Sequence, residues 1–371
     1  MLSLIDLQTK GLYEIPQQVV KNVFIYPNIS SYYRKERWSG VQSMIRNIFP
    51  KITTSLVTVF FAYAVSSQDW RESKWGPQDT IGAINEITDK EILDAAKLIT
   101  KGKRYALGMV TGKDTPAWGT HSFALYTVPH GNGSGITYGH KTRVTANDDW
   151  ALVWMGVGSQ IDGLGHIGID HVYYNGLSIS DIYTPAGLKK LGVHEIPPMV
   201  TRGILLNAVK FFKNTKPNSL MELNGKEMLR PNVSITSKDI EAMLNAQSLS
   251  VQKGDVVLIH TGFMEMGSVD KNKYFDELPG IDLSAATYLA KFNVTAIGSD
   301  TVCLEKFPGD FANGDAFPVH AELIPKHGIY ILENMVTEEL IEDGVDRFMF
   351  VLGQARLEGA VQMIINPVAI R

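Results

Sequence analysis

Gly156-Val-Gly-Ser-Gln-Ile-Asp-Gly-Leu-Gly-His-Ile-Gly168 holds four glycines between 156 and 165, with Gln160, Asp162 and His166 interleaved. Glycine at that density lets a backbone approach a site closely. No Lys-Ser/Thr follows and no clear βαβ unit opens here, so the stretch is not a nucleotide loop. Asp162 and His166 stand four apart, a spacing that on a helix puts both on one face, where they could share a metal. A glycine-rich buried turn with a hydrogen-bonded His is the alternative.

A second candidate lies further on. In Phe317-Pro-Val-His320, Pro318 suits the first turn of a helix, with His320 near its start. Gly328 would end that helix, and Ile329-Tyr-Ile-Leu-Glu333 would follow as a strand closing on Glu333. Such a helix–turn–strand unit could bring His320 and Glu333 together; a buried His–Glu hydrogen bond is the plainer reading.

The rest of the chain from 70 onward shows no repeat, low-complexity tract or linker, and short strands alternate with helices. β-Branched runs predict strands at Gly203–Leu206, Asp255–His260, Val294–Ile297, Gly328–Leu332 and Arg347–Leu352. Several end on a polar residue: His260, the Ser299-Asp300 pair and Glu333. Strand ends held by a rigid sheet are common site positions, although such residues also cap turns. Thr88-Asp-Lys-Glu91 predicts a capping box opening a helix through Ile92, Ala95, Ala96 and Ile99, stopped by Gly102. Another helix is predicted from Thr236 or Ser237 through Ile240, Met243 and Leu244.

Composition bounds the chemistry. The chain has 371 residues, 35 Lys+Arg against 39 Asp+Glu, and 44% hydrophobic residues, enough for a sizeable core. A net charge of −4 carries no general basic footprint for nucleic acid. Cys303 is the one cysteine, which excludes an intrachain disulfide, a Cys-rich zinc finger, a CxxC redox pair and an iron–sulfur cluster. A metal here would be held by His and carboxylates.

The first 64 residues differ from the rest. They carry seven Lys+Arg and three acids, so the remainder has 28 basic against 36 acidic residues, a charge of −8. The apolar run Ile52–Ala64 is too short to span a bilayer as a helix, which needs about 20 residues. Arg46 and Lys51 precede it and Ala62-Tyr-Ala64 closes it, as in a signal peptide. Translation from Met44 would give a leader of 44–64, cleaved near Ala64, leaving a domain of 65–371 in a secreted protein with no stable membrane span. A membrane-anchored or cytoplasmic chain starting at Met1 is the alternative. The sequons at Asn132, Asn232 and Asn293 are compatible with secretion.

From about Trp75 to Arg371 the sequence resembles the metal-dependent cyclase/kynurenine formamidase family. The landmarks are Trp75-Gly-Pro-Gln-Asp-Thr-Ile-Gly82, Gly158-Ser-Gln-Ile-Asp-Gly-Leu-Gly-His166, Tyr174-Asn-Gly176 and Arg202-Gly-Ile-Leu-Leu206, followed by Gly254–Gly262, Ile297–Thr301, Phe317–His320 and Leu332-Glu-Asn334. The family signature H-x-G-T-H-x-D-x-P-x-H puts its first His on Gly156, its second on Gln160, its Asp on Asp162, its Pro on Leu164 and its last His on His166. Two ligands of that signature are therefore absent. The chain is similar to a long subfamily with G-T-Q-W-D-G-L-G-H in its place.

The resemblance implies a single-domain α/β fold of the swivelling β/β/α type, with a mixed sheet and flanking helices. It implies one divalent metal, Zn²⁺ or Mn²⁺, on Asp162, His320 and Glu333, with Gln160 a neutral oxygen donor or an orienting group, and His166 as general acid/base. No organic cofactor is implied. The implied activity is hydrolysis of a small-molecule amide, as in arylformamidase acting on N-formylkynurenine. A lactone or isatin-type ring hydrolase is the alternative, and the lost histidines motivate a third reading, a catalytically silent binding protein. Relatives form homodimers or homotetramers. His121, in Trp118-Gly-Thr-His121, offers a tempting G-T-H but has no Asp two residues on, and is read as a decoy.

Overall fold

Four strands with long runs of β-branched and aliphatic residues lie side by side and parallel at the centre of the protein. The computed structural model describes residues 69–129, 137–309 and 314–371. The leader reading of 44–64 lies outside the described residues.

Nine strands form the main sheet: β1 (Arg104–Ala106), β2 (Gln160–Asp162), β3 (Met199–Asn207), β4 (Val256–His260), β5 (Ala296–Ser299), β6 (Tyr330–Glu333), β7 (Arg347–Leu352), β8 (Gln362–Ile364) and β9 (Val368–Ile370). Their order across the sheet is β1-β9-β7-β3-β4-β5-β6-β2-β8. The neighbours β3, β4, β5 and β6 are parallel, and the pairs on either side of them are antiparallel. All five predicted strands are present, with bounds shifted by a few residues. Val256, Val257, Leu258 and Ile259 of β4 are all essentially inaccessible. That uninterrupted burial is what a parallel strand covered on both faces requires.

Helices make the parallel crossovers: α2 (Ala208–Thr215) and α3 (Ser237–Ala246) between β3 and β4, α4 (Leu283–Ala290) before β5, and the single turn α5 (Pro318–Ala321) before β6. α1 (Asp89–Ala96) packs on β3 and β7. The predicted capping box of Thr88 with Glu91 opens α1, and the helix predicted from Thr236 or Ser237, α3, opens on a second capping box, Thr236 with Asp239. Ile240, Met243 and Leu244 then face the core, where α3 packs on α4. The result is the expected α/β fold, a mixed sheet with flanking helices.

Phe123–Pro129 and Asn147–Val153 pair only with each other, as a ribbon apart from the main sheet. On one face Tyr126 pairs with Trp150 and Ala124 with Leu152, and Val128 lies on the same side. Tyr126, Val128, Trp150 and Leu152 are each roughly half exposed, at 47–64%.

Candidate active site

The glycine-rich stretch is a strand where it carries chemistry. β2 spans Gln160–Asp162, so Gln160 and Asp162 share a face through the two-residue strand period. His166 follows beyond the strand, in a turn whose N–H bonds back to the Gly163 carbonyl at 3.0 Å. The helical spacing of Asp162 and His166 is thus overturned. The strand is buried between β6 and β8, and residues with strong strand pairing on both sides do not coil into a helix. Two of the glycines are required by close packing. Gly158 has φ +79, and a Cβ there would stand 2.2 Å from Thr111 Oγ1; at Gly163 it would stand 2.6 Å from the Val361 carbonyl oxygen.

Strand register assembles the acids. Glu333 of β6 lies directly opposite Gln160 of β2, and Gln362 of β8 opposite Asp162. All four side chains therefore project from one face of three adjacent strands. His320 comes from α5, as the helix–turn–strand pattern predicts: Pro318 opens the turn and Gly328, at φ +63, ends the segment before β6. Phe317 precedes the turn with left-handed backbone, φ +52. That conformation costs an ordinary residue about 1–2 kcal/mol, a strain typical of site positions.

The resulting cluster is almost wholly buried. His320 Nε2 lies 3.6 Å from Asp162 Oδ2 and 3.4 Å from Glu333 Oε1. Gln160 Nε2 donates to Glu333 Oε2 at 2.8 Å and to Asp162 Oδ1 at 3.3 Å, and Gln362 Nε2 donates to Asp162 Oδ1 at 2.7 Å. His320 Nδ1 hydrogen-bonds the Glu305 carboxylate. Asp162 Oδ2 and Gln160 Oε1 are buried with no hydrogen-bond partner among the described residues. A buried carboxylate oxygen left unpaired is costly, and such a group calls for a missing partner.

Those donors fit a divalent cation. Among the described residues, Asp162, His320 and Glu333 offer ligand atoms all within 4.8 Å of one another. A tetrahedral ion about 2.1 Å from each donor sets edges of about 3.4 Å between them, close to the two separations above. Two carboxylates and one imidazole suit Zn²⁺ or Mn²⁺. Gln160 turns its amide nitrogen toward both carboxylates, while its Oε1 is buried without a hydrogen-bond partner among the described residues.

Electrostatics follow from burial and crowding. Burial, reinforced by the Asp162 charge, pushes the Glu333 carboxyl up to about 8. Burial alone would lower His320, but Asp162, Glu305 and Glu333 together hold it well above the usual imidazole range. Burial would raise Asp162; His166 and His320 outweigh it and keep its carboxyl below the usual range. Burial lowers His166, against the pull of Asp162, so its ring is neutral at pH 7.

These shifts predict a stability trend for metal-free protein. A carboxyl raised from 4.5 to about 8 on folding is protonated in the native state and ionised in the unfolded chain across that window, so its contribution falls as pH rises. His320, raised in the native state, contributes stability that is also lost with rising pH above 6.5. His166, lowered, acts oppositely but only up to about 6.5. The melting temperature of chelator-treated protein is therefore expected to fall between pH 6.5 and 8, and added Zn²⁺ or Mn²⁺ to reverse the fall. A flat or rising profile over that interval would contradict the assignment.

The remaining histidines sort themselves. The His166 ring centroid is 6.4 Å from that of His320, outside the donor set but facing it. His121 stacks on Trp154 at 4.3 Å and is close enough to His166 to lower its basicity, so it borders the site rather than entering the donor cluster. His260 lies apart, its Nδ1 2.9 Å from Thr337 Oγ1 and 3.3 Å from Asp300 Oδ2. Asp300 accepts from the Thr261 and Gly262 N–H groups at 2.8 and 2.7 Å, which is the turn-capping role.

Aromatic rings lead out from the cluster. Phe317 lies 5.7 Å from His320, Phe307 5.8 Å from Phe317, and Trp118 5.1 Å from Phe307. Trp118 and Phe307 also pack on the second apolar cluster around Phe263 and Tyr274, so this collar of rings adjoins the donors only through Phe317.

Glu305, Gln362 and Cys303 are site residues that the sequence reading missed. Cys303 is a buried thiol, pushed up by burial, whose sulfur stands within 4.8 Å of ligand atoms of Glu305 and His320. The one cysteine, set aside on composition, thus borders the cluster. A signal existed for the other two: Glu305 ends the apolar run Val302-Cys-Leu304, and Gln362 interrupts Ala360-Val-Gln-Met-Ile-Ile365. A polar residue in a buried run needs a partner.

A family model described as putative cyclase matches residues 105–306, more than half of the chain. It includes Gln160, Asp162, His166 and Glu305 and ends before His320 and Glu333. The fold is similar to the crystal structure of a novel cyclase, at 26% identity over 80% of this chain and 96% of that one, with a TM-score of 0.70. It is also similar to isatin hydrolase A from Ralstonia solanacearum, at 15% identity over 77% of this chain and 98% of that one, with a TM-score of 0.54, a likeness of fold alone. No curated protein matches.

Proposed function

This chain belongs to the putative cyclase family, and we propose that it is a metal-dependent hydrolase of an amide or cyclic acyl bond, arylformamidase-like in its chemistry. The observation that carries this is the convergence of Asp162, His320 and Glu333 with a buried, unpartnered carboxylate oxygen at its centre. A bound Zn²⁺ or Mn²⁺ would supply Lewis-acid activation of water and of the acyl oxygen. Asp162, His320 and Glu333 would hold that ion, and Gln160 and Gln362 hydrogen-bond the carboxylates and orient them. Neutral His166 takes the proton released as water adds to the acyl carbon, then delivers it to the departing nitrogen as the C–N bond breaks. Formamide hydrolysis then balances as formate plus a free amine. The collar of Trp118, Phe307 and Phe317 favours a planar aromatic substrate, whose faces such rings stack against.

An isatin-type ring or lactone fits the same collar and the same acyl chemistry, and a silent binding protein would keep the fold without the ion. Three measurements separate these readings. Protein purified without chelator is expected to carry about one divalent ion per chain; an absence of stoichiometric metal, with no activity on adding Zn²⁺ or Mn²⁺, would overturn the enzyme reading. Parallel assays of N-formylkynurenine, isatin and aromatic lactones then identify the bond cleaved. Aliphatic formamides are expected to be poor substrates, and equal turnover of aliphatic and aromatic ones would remove the role given to the collar.

The homo-oligomer expected of the chain has a candidate surface in the half-exposed ribbon face of Tyr126, Val128, Trp150 and Leu152. A two-stranded ribbon is marginal in water unless its apolar face is covered. Sedimentation is expected to show a dimer or tetramer that Trp150→Glu dissociates. No helix among the described residues is long and apolar enough to cross a membrane.

A further inference from the structure

Glu305 is buried at 2% exposure and lies on the far side of His320 from the donor cluster. Its two carboxylate oxygens are both committed to the first turn of α5. One contacts His320 Nδ1 and accepts from the His320 backbone N–H at 3.2 Å. The other accepts from the Val319 N–H at 3.2 Å. The same side chain therefore holds the backbone that carries His320 and the nitrogen of its ring that faces away from Asp162 and Glu333. The opposite nitrogen, Nε2, is the one 3.4–3.6 Å from the two acids.

From this geometry we infer that Glu305 is the positioning residue of the metal centre: it fixes the His320 ring in the orientation and tautomer that present an unprotonated Nε2 to the ion. The inference rests on the metal-site reading above. Its physical basis is that a ligating imidazole is set by the bond its other nitrogen makes: with the proton held on Nδ1 by a carboxylate, Nε2 keeps its lone pair and gains basicity. A carboxylate also anchors three groups of α5 at once, which a neutral amide of the same shape does less strongly. Other groups near the ring do not compete for Nδ1. Cys303 is a weak donor, and Asp162 and Glu333 sit on the Nε2 side.

The test uses the full chain and Zn²⁺ or Mn²⁺ as the probe. Glu305→Gln is expected to weaken metal affinity by about 10–100-fold in chelator competition, the range seen when an outer partner of a ligating His is removed. With Zn²⁺ bound, ¹⁵N shifts of the His320 ring are expected to show Nε2 ligated and a proton held on Nδ1 in the wild type, and the Nδ1 signal to shift in the variant. A purely structural role would lower the melting temperature without moving the Nδ1 signal. Glu305→Asp, which keeps the charge but not the reach, carries the same two readouts if Glu305→Gln fails to fold. Wild-type affinity and an unchanged ring spectrum in the folded variant would overturn the inference. Failure of the wild-type protein to bind either ion would instead overturn the metal-site reading, so the two failures are distinguishable.

Discussion

Replacing Asp162 by Asn is expected to abolish metal-dependent turnover while the chain stays folded. Asp162 is wholly buried, and its Oδ1 is held by Gln362 and Gln160. Its Oδ2 is the unpartnered atom facing His320. Asn has the same shape, so β2 keeps its packing between β6 and β8. The charge that would bind the ion is lost, and a first ligand should cost more than the roughly 10–100-fold that removing an outer partner costs. The metal-free fold loses some stability, because the Asp162 charge helps hold His320, while one acid fewer relieves the crowding that pushes Glu333 up and offsets part of the loss. Turnover, metal content and thermal melting, measured together, check this. Wild-type rates in the variant would remove Asp162 from the site.

His166→Ala is expected to show the opposite pattern: metal content unchanged, kcat lower by about 10²–10⁴-fold. His166 stands beside the donor cluster without joining it. Its lowered basicity leaves the ring neutral at pH 7 and ready to accept a proton. Because activity requires that neutral ring, the acid limb of kcat/KM should lie below the ordinary imidazole value of 6.5 in the wild type and disappear in the variant. A variant with normal kcat would assign the proton relay to a residue other than His166.

Much of this was legible locally. The capping box at Thr88, the helix start at Thr236 and the apolar run of β4 are written in a few adjacent residues, and short-range sterics and hydrogen bonds decide them. The Pro318–Gly328 signals did the same for the segment that carries His320. The mistaken step was the helical reading of Asp162 and His166. Four-residue spacing suits a helix, but burial between two strands imposed the two-residue period instead, which paired Asp162 with Gln160 and left His166 in the turn. His121 is read from its own triplet as a decoy, yet the structure places it against Trp154 at the edge of the site.

By itself, then, the sequence determined the element types, the family resemblance and the residue kinds a metal could use. Only the tertiary structure decided their meeting. Gln160 and Glu333 are 173 positions apart and touch because β2 and β6 pair in one register; a slip of one residue would turn Glu333 to the other face of the sheet. Glu305 reaches His320 because the segment that leaves β5 passes beside α5, a contact whose partner no local pattern announces. The acids gather in a dry interior at an energetic cost. That cost is borne by long-range packing, and a bound cation would offset it; neither is a property of any short stretch of chain.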